Sequence, residues 1–192
     1  MRPTRLTLLT LGVLTTPVLA QMNHAGMNHS TSSSSAQAEM MDLSALSALT
    51  GRAFDRAFLS MMIPHHQAAV SMSQAVLGTR DARVKAWATA IIKDQNREIN
   101  QMNTLLKNYG GPDSKMQASM KTRMGDMASR VKGASNRDRA FVQGMIPHHA
   151  SAIDMANLAL QKSQNLGVLK LARDITRAQA GEIYEFKTYL LR

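Results

Sequence analysis

The chain has 192 residues, 15 methionines, six histidines, no cysteine and a formal charge of +10. The missing thiols exclude disulfides, thiolate metal sites and cysteine nucleophiles, so any soft-metal ligation must come from thioether and imidazole groups. Lysine and arginine are scattered rather than gathered into a basic arm, and aromatics make up only 4%, so nucleic-acid binding lacks its usual features.

Residues 1–20 read as a secretory signal. Arg2 and Arg5 form a positive start, Leu6 to Val18 a short apolar run, and Val18-Leu19-Ala20 a small-residue cleavage site that makes Gln21 the mature N-terminus. The run is too short for a membrane span, so no stable span is expected after cleavage and the address is periplasmic or secreted. Without the signal the charge is about +8, which solvated helix faces account for.

Residues 21–41 form a polar tail and linker. It opens on a repeated Met-Asn-His unit that places Met22, His24, Met27 and His29 within eight residues. Two thioethers and two imidazoles on a pliable segment suit Cu(I) or Ag(I). Ser30 to Ser35 is too polar to pack.

The folded domain is expected over 42–192 and is helical throughout. A short helix capped by Asp42 or Ser44 ends at Gly51, and long helices follow over about 52–77 and 82–109. Gly110-Gly111-Pro112 is a firm stop. A middle helix spans about 113–132, and two more long helices cover about 137–161 and 168–191. Met116, Met120, Met124 and Met127 share one side of the middle helix. Such a stripe serves as adaptable core or as an accessory soft-metal ladder, and if exposed it would favour a homodimer.

One stretch occurs twice. Phe58 to Met72 contains Met-Ile-Pro-His-His, as does Phe141 to Met155, and Phe, Met, Ile, Pro, His, His, Ala and Met recur at an offset of 83 residues. Asp55 and Asp138 precede the two copies in register. With about 100° of rotation per residue, Met62 and His66 become neighbours one turn apart, as do Met61 and His65. Met145, His148, His149 and Met155 repeat most of this arrangement alongside Met72 of the first copy. A helix face of thioethers and imidazoles suits copper above other metals. Adjacent histidines cannot point the same way, so one of each pair is expected to ligate and the other to support it.

The repeat reaches the partner helices at an offset of 84. Val84, Ala88, Ile91, Gln95, Glu98, Ile99, Met102 and Leu106 match Val168, Ala172, Ile175, Gln179, Glu182, Ile183, Phe186 and Leu190. Each repeat is therefore a helix hairpin (52–109 and 137–192). Two such hairpins make an all-α four-helix bundle, with the Met-rich helix 113–132 as crossover. Glu98 and Glu182 recur as Gln-x-x-Glu, and with Asp55 and Asp138 they are candidate supports for the histidines or ligands themselves.

The paired Met-Ile-Pro-His-His motifs, together with Gln-x-x-Glu-Ile in each partner helix, resemble the DUF305 family, which includes exported copper-binding proteins of the CopM type. The resemblance covers about residues 50–192. It implies a ferritin-like bundle that binds copper or silver through Met and His and serves periplasmic copper tolerance. A copper exporter or another periplasmic copper protein is the expected partner. Met61 or Met62, His65, His66 and Met72 carry the first motif, and Met145, His148, His149 and Met155 the second. Gly144 stands where the first copy has Met61, and Ala150 where it has Gln67, so the halves are not expected to be equal.

The reading is thus a copper-binding protein rather than an enzyme, favouring Cu(I), with Cu(II) or Ag(I) as alternatives. A ferritin-like oxidase is the first competitor, but the chain has only four Glu and no Glu-x-x-His. A metal-free envelope interaction protein using its basic faces is the second.

Overall fold

A computed structural model describes residues 42–192. The readings made for residues 1–41, including the signal and Met22, His24, Met27 and His29, lie outside the described residues.

Seven helices follow in order: α1 (Ser44–Ser47), α2 (Gly51–Gln74), α3 (Ala82–Lys107), α4 (Ser114–Met124), α5 (Met127–Gly133), α6 (Arg137–Lys162) and α7 (Leu166–Leu190). No strand occurs among the described residues. The starts are set by side chains that satisfy free amides. Asp81 accepts from the Arg83 and Val84 amides, Asp113 from Met116, Asn136 from Arg139, and Asn165 from Gly167 and Val168. Gly110 and Gly111 end the α2–α3 hairpin at φ of 78° and 92°, where a side chain would be strained.

The single middle helix expected over 113–132 is two helices. Gly125, a poor helix former, closes α4, and Asp126 precedes α5. The methionine stripe divides accordingly. Met120 is fully buried, Met116 and Met124 pack on the same cluster, and Met127 packs on a different one. The stripe packs on its own bundle, and none of its four methionines is exposed.

Helix α2 is the centre. Sixteen of its 24 residues are buried, against seven of 26 in α3, because α3, α4 and α6 pack around it. A helix apolar all round is a buried helix. Pro64 and Pro147 lie inside α2 and α6, and both helices run on through them.

The turn after α3 is tied back to α2. Arg56 Nε donates to the Gly111 carbonyl and its terminal nitrogen to Pro112, both at 2.9 Å. Arg56→Ala should therefore cost about 1–3 kcal/mol in urea unfolding, since two carbonyls lose a charged donor. A midpoint equal to the parent's would show that this tie carries no stability.

The apolar core is two clusters, not one. The first gathers Phe54 to Ile63 of α2, Met102 and Leu106 of α3, Ala152 to Ala159 of α6, and Val168 to Ile175 of α7. The second gathers Ala69, Met72 and Val76 of α2, Val84 to Ile91 of α3, Phe141 to Met145 of α6, and Phe186 of α7. On every long helix the clusters are separated by the same kind of residue: His65 and His66, Gln95 and Glu98, His148 and His149, Gln179 and Glu182. The bundle thus has a polar layer at mid-height.

Candidate functional site

The layer exists because both motifs fall at the middles of their helices. Helices α2 and α6 run antiparallel, since the first half of α2 shares a cluster with the second half of α6. The two His-His pairs therefore meet. His65 and His148 stack at 3.8 Å between ring centroids with a 36° tilt. Their other contacts are nearly reciprocal. His148 Nε2 donates to the His65 carbonyl at 3.0 Å. On the other side Ser151 intervenes: His65 Nε2 donates to Ser151 Oγ at 2.8 Å, and that hydroxyl donates to the His148 carbonyl at 2.8 Å. The first repeat has Ala68 at the position of Ser151, so the relay exists on one side only.

The second histidine of each pair turns to its hairpin partner. His66 Nε2 donates to Glu98 Oε2 at 2.8 Å, and His149 Nε2 lies 2.6 Å from Glu182 Oε2 without the alignment of a hydrogen bond. Each pair is thus split between a partner across the molecule and a carboxylate in its own hairpin.

The protons follow from these partners. His65, His66 and His148 each carry a hydrogen on Nε2, so in their neutral form the lone pair sits on Nδ1. All four Nδ1 atoms are buried without a hydrogen-bond partner. Burial, then the neighbouring histidines, holds His65 and His148 well below the usual imidazole value. Burial likewise takes His149 down to about 3. Glu182 is pushed up to about 7 by burial and by the nearby carboxylates of Asp94, Glu98 and Glu185.

Unpartnered polar atoms concentrate here. Eight such buried side-chain atoms belong to the layer: the four Nδ1, His149 Nε2, Gln95 Oε1 and both amide atoms of Gln179. An unsatisfied buried polar group costs about 1–3 kcal/mol, so so many in one plane marks the layer as the candidate site. Imidazoles whose outer nitrogen is held by a carboxylate, a carbonyl or a hydroxyl are arranged as metal-ligating histidines are. Among the described residues no three His, Asp or Glu side chains form a group that could hold a metal. Ligation in the layer would therefore draw on thioethers.

Methionines border the layer on both sides. Met61, Met62 and Met155 are buried in the first cluster, and Met72 and Met145 in the second. The Gly144 position lies beside Met72: a Cβ built there would be 3.8 Å from the Met72 sulfur. The other candidates are elsewhere. Asp55 accepts from the Tyr109 hydroxyl at 2.9 Å, and Asp138 from Thr79 at 2.6 Å, near the starts of their helices and away from the histidines. Met116, Met120, Met124 and Met127 are packed on the clusters. Sequence reasoning gave no role to Ser151, whose only signal is that it replaces Ala68.

Fold and site together define a ferritin-like helical bundle with a buried histidine–carboxylate layer between two duplicated hairpins. The chain belongs to the family described as Domain of unknown function (DUF305), whose profile matches residues 7–106 and 78–190. It is similar to the structure of CopM in the Cu(I)-bound form, at 33% identity and a TM-score of 0.60 over 70% of this chain and 94% of that one. CopM has also been solved in Cu(II)-bound, Ag-bound and apo forms. A putative secreted DUF305 protein from Streptomyces coelicolor shares the fold, with a TM-score of 0.64 at 23% identity over 71% of this chain and 91% of that one. An uncharacterized protein of Acanthamoeba polyphaga mimivirus is 47% identical over 53 residues, which is 27% of this chain and about a third of the viral protein's length. None of the described helices is long and apolar enough to cross a membrane.

Proposed function

We propose that this chain is an exported, non-enzymatic copper-binding protein that buffers, stores or shuttles Cu(I) through Met and His ligands. The observation that carries the reading is the layer of buried, unpartnered imidazole nitrogens bordered by buried thioethers in a cysteine-free chain. The likeness to CopM, solved with copper and silver, supports the same choice of metal. Cu(II) and Ag(I) are secondary cargoes, since imidazole accepts the first and thioether the second. The bundle would hold the ion, and the Met22, His24, Met27 and His29 segment would capture it and pass it to a copper exporter or another periplasmic copper protein.

An anaerobic Cu(I) titration of residues 21–192 against a chromophoric chelator tests this, run beside the same protein with Met22, His24, Met27 and His29 all changed to Ser. Both proteins are expected to compete with the chelator, the unaltered one for more equivalents. No competition by either would overturn the copper reading. Competition lost with the tail residues would overturn the role of the bundle.

A further inference from the structure

One end of the bundle is made by the turn between α2 and α3, the start of α6 and the last turn of α7. Side-chain ties gather these segments. The Tyr189 hydroxyl donates to Asp81 at 2.9 Å, and the Thr79 hydroxyl donates to Asp138 at 2.6 Å. The Arg83 guanidinium lies 4.6 Å from the centre of the Tyr189 ring. The ties occupy the carboxylates of this end. Asp81 also caps α3, Glu185 accepts from Trp87 Nε1 at 2.6 Å, and Asp126 is paired with Arg130 one turn on. Little negative charge is left for the cations outside. Arg80, Lys85, Lys132, Arg139 and Lys187 are all exposed, and the lysine and arginine ion pairs among the described residues belong to Arg97, Arg130, Lys170 and Arg173 instead. The opposite end uses its cations internally. Arg52 donates to the Asn108 carbonyl at 2.7 Å, Lys162 to the Leu49 carbonyl at 3.1 Å and Arg56 to the turn after α3, while Lys170 and Arg173 pair with Asp174. Two apolar side chains complete the first end. Leu77 follows α2 and Leu191 follows α7, and they are 38% and 87% exposed.

We propose that this end of the bundle docks on an anionic phospholipid bilayer. Cations gathered at one end are drawn by the negative surface potential of such a bilayer, and each one adds to the attraction. Leu77 and Leu191 supply apolar side chains that enter the headgroup region between them. A nucleic acid or another soluble polyanion would meet the same cations but would leave the two leucines in water, and aromatics for stacking on bases are few. The leucines therefore decide for lipid. None of the described helices can cross a membrane, so the contact is shallow, reversible and weakened by salt. Docked by this end, the bundle keeps its mid-height layer clear of the lipid.

The test is co-sedimentation of residues 21–192 with vesicles of phosphatidylcholine alone and of phosphatidylcholine mixed with an equal part of phosphatidylglycerol. Binding to the mixed vesicles only is expected, and it should vanish at 1 M salt, where charges are screened beyond about 3 Å. Arg80→Glu with Arg139→Glu should weaken it about tenfold or more. Lys107→Glu with Lys115→Glu makes the same change of net charge at the opposite end and should weaken it less than about twofold. All four side chains are exposed, and a melting curve verifies that each protein folds. Leu77→Ser with Leu191→Ser should lower binding to the mixed vesicles about threefold or more, since two apolar side chains no longer enter the headgroups. Equal losses from the two pairs of charge reversals, equal binding to neutral vesicles, or no binding to either would overturn the proposal. Binding unchanged by the two serines would overturn the bilayer in favour of a soluble polyanion. The Cu(I) titration of both charge-reversed proteins should match the parent's, so copper binding stands or falls separately.

Discussion

A His66→Ala protein is expected to unfold about 3 kcal/mol more readily than the parent and to lose Cu(I) binding in the bundle. Two costs add on the stability side. The buried Glu98 carboxyl loses its partner at 2.8 Å, and a ring-sized cavity opens beside Met62 in the middle of α2. A destabilised protein that binds less copper proves little by itself, so a second variant separates the effects. His66→Leu with Glu98→Leu removes both polar partners and refills the space. Replacing a buried polar pair by apolar groups is close to neutral or stabilising. The double variant should therefore recover most of the lost stability in urea unfolding followed at 222 nm, yet still fail to compete for Cu(I). Copper binding that returns with stability would assign His66 a purely structural role.

The second large effect is on pH. His65, His148 and His149 are held neutral in the fold, but each protonates near 6.5 once the chain unfolds. Below that value the unfolded state binds more protons, so their contribution to stability is complete above about pH 6.5 and is lost as the pH falls below it, for His149 down to about 3. Glu182 acts in the other direction. Folded, it keeps its proton up to about 7, while unfolded it releases it near 4.5. Its contribution is present below about 4.5 and is lost as the pH rises through 7. Between pH 6.5 and 4.5 three imidazoles oppose one carboxyl. The net uptake on unfolding is about two protons, or roughly 2–3 kcal/mol lost per pH unit. Metal-free protein should then show a clearly lower urea midpoint at pH 5.5 than at pH 7. A flat profile over that interval would mean that the layer is already hydrated and its histidines titrate freely.

Much of this architecture was legible from residue patterns. The duplication gave the two hairpins, because a Pro-His-His signature and its Gln-x-x-Glu partner recur at nearly equal offsets. The helix ends came within a few residues, because Asp81, Asp113, Asn136 and Asn165 cap where capping residues should. What a single helix cannot reveal is which neighbour each side chain meets. His65 and His66 are consecutive, yet one faces another repeat's histidine and the other a carboxylate 32 residues on. That division depends on α2 being enclosed on several sides, which is a property of the packing. The break at Gly125 escaped because one glycine in a helix-forming stretch is tolerated as often as it terminates. Ser151 escaped because its only mark is that it replaces Ala68, and its place beside His65 appears only once α2 and α6 are packed.

The mid-height layer also bears on how the chain finds one alignment. Its clusters are rich in methionine and alanine, and methionine side chains adapt to many neighbours. Such an interior by itself would tolerate one hairpin sliding past the other by a turn, trading one loose fit for another. The layer forbids this. A slide of one turn between the hairpins would part the stacked His65 and His148 and break the Ser151 relay, and a slide of α3 along α2 would separate Glu98 from His66. The polar plane is a keyway: only one setting of the four long helices lets it close, and the pliable packing above and below settles around that setting.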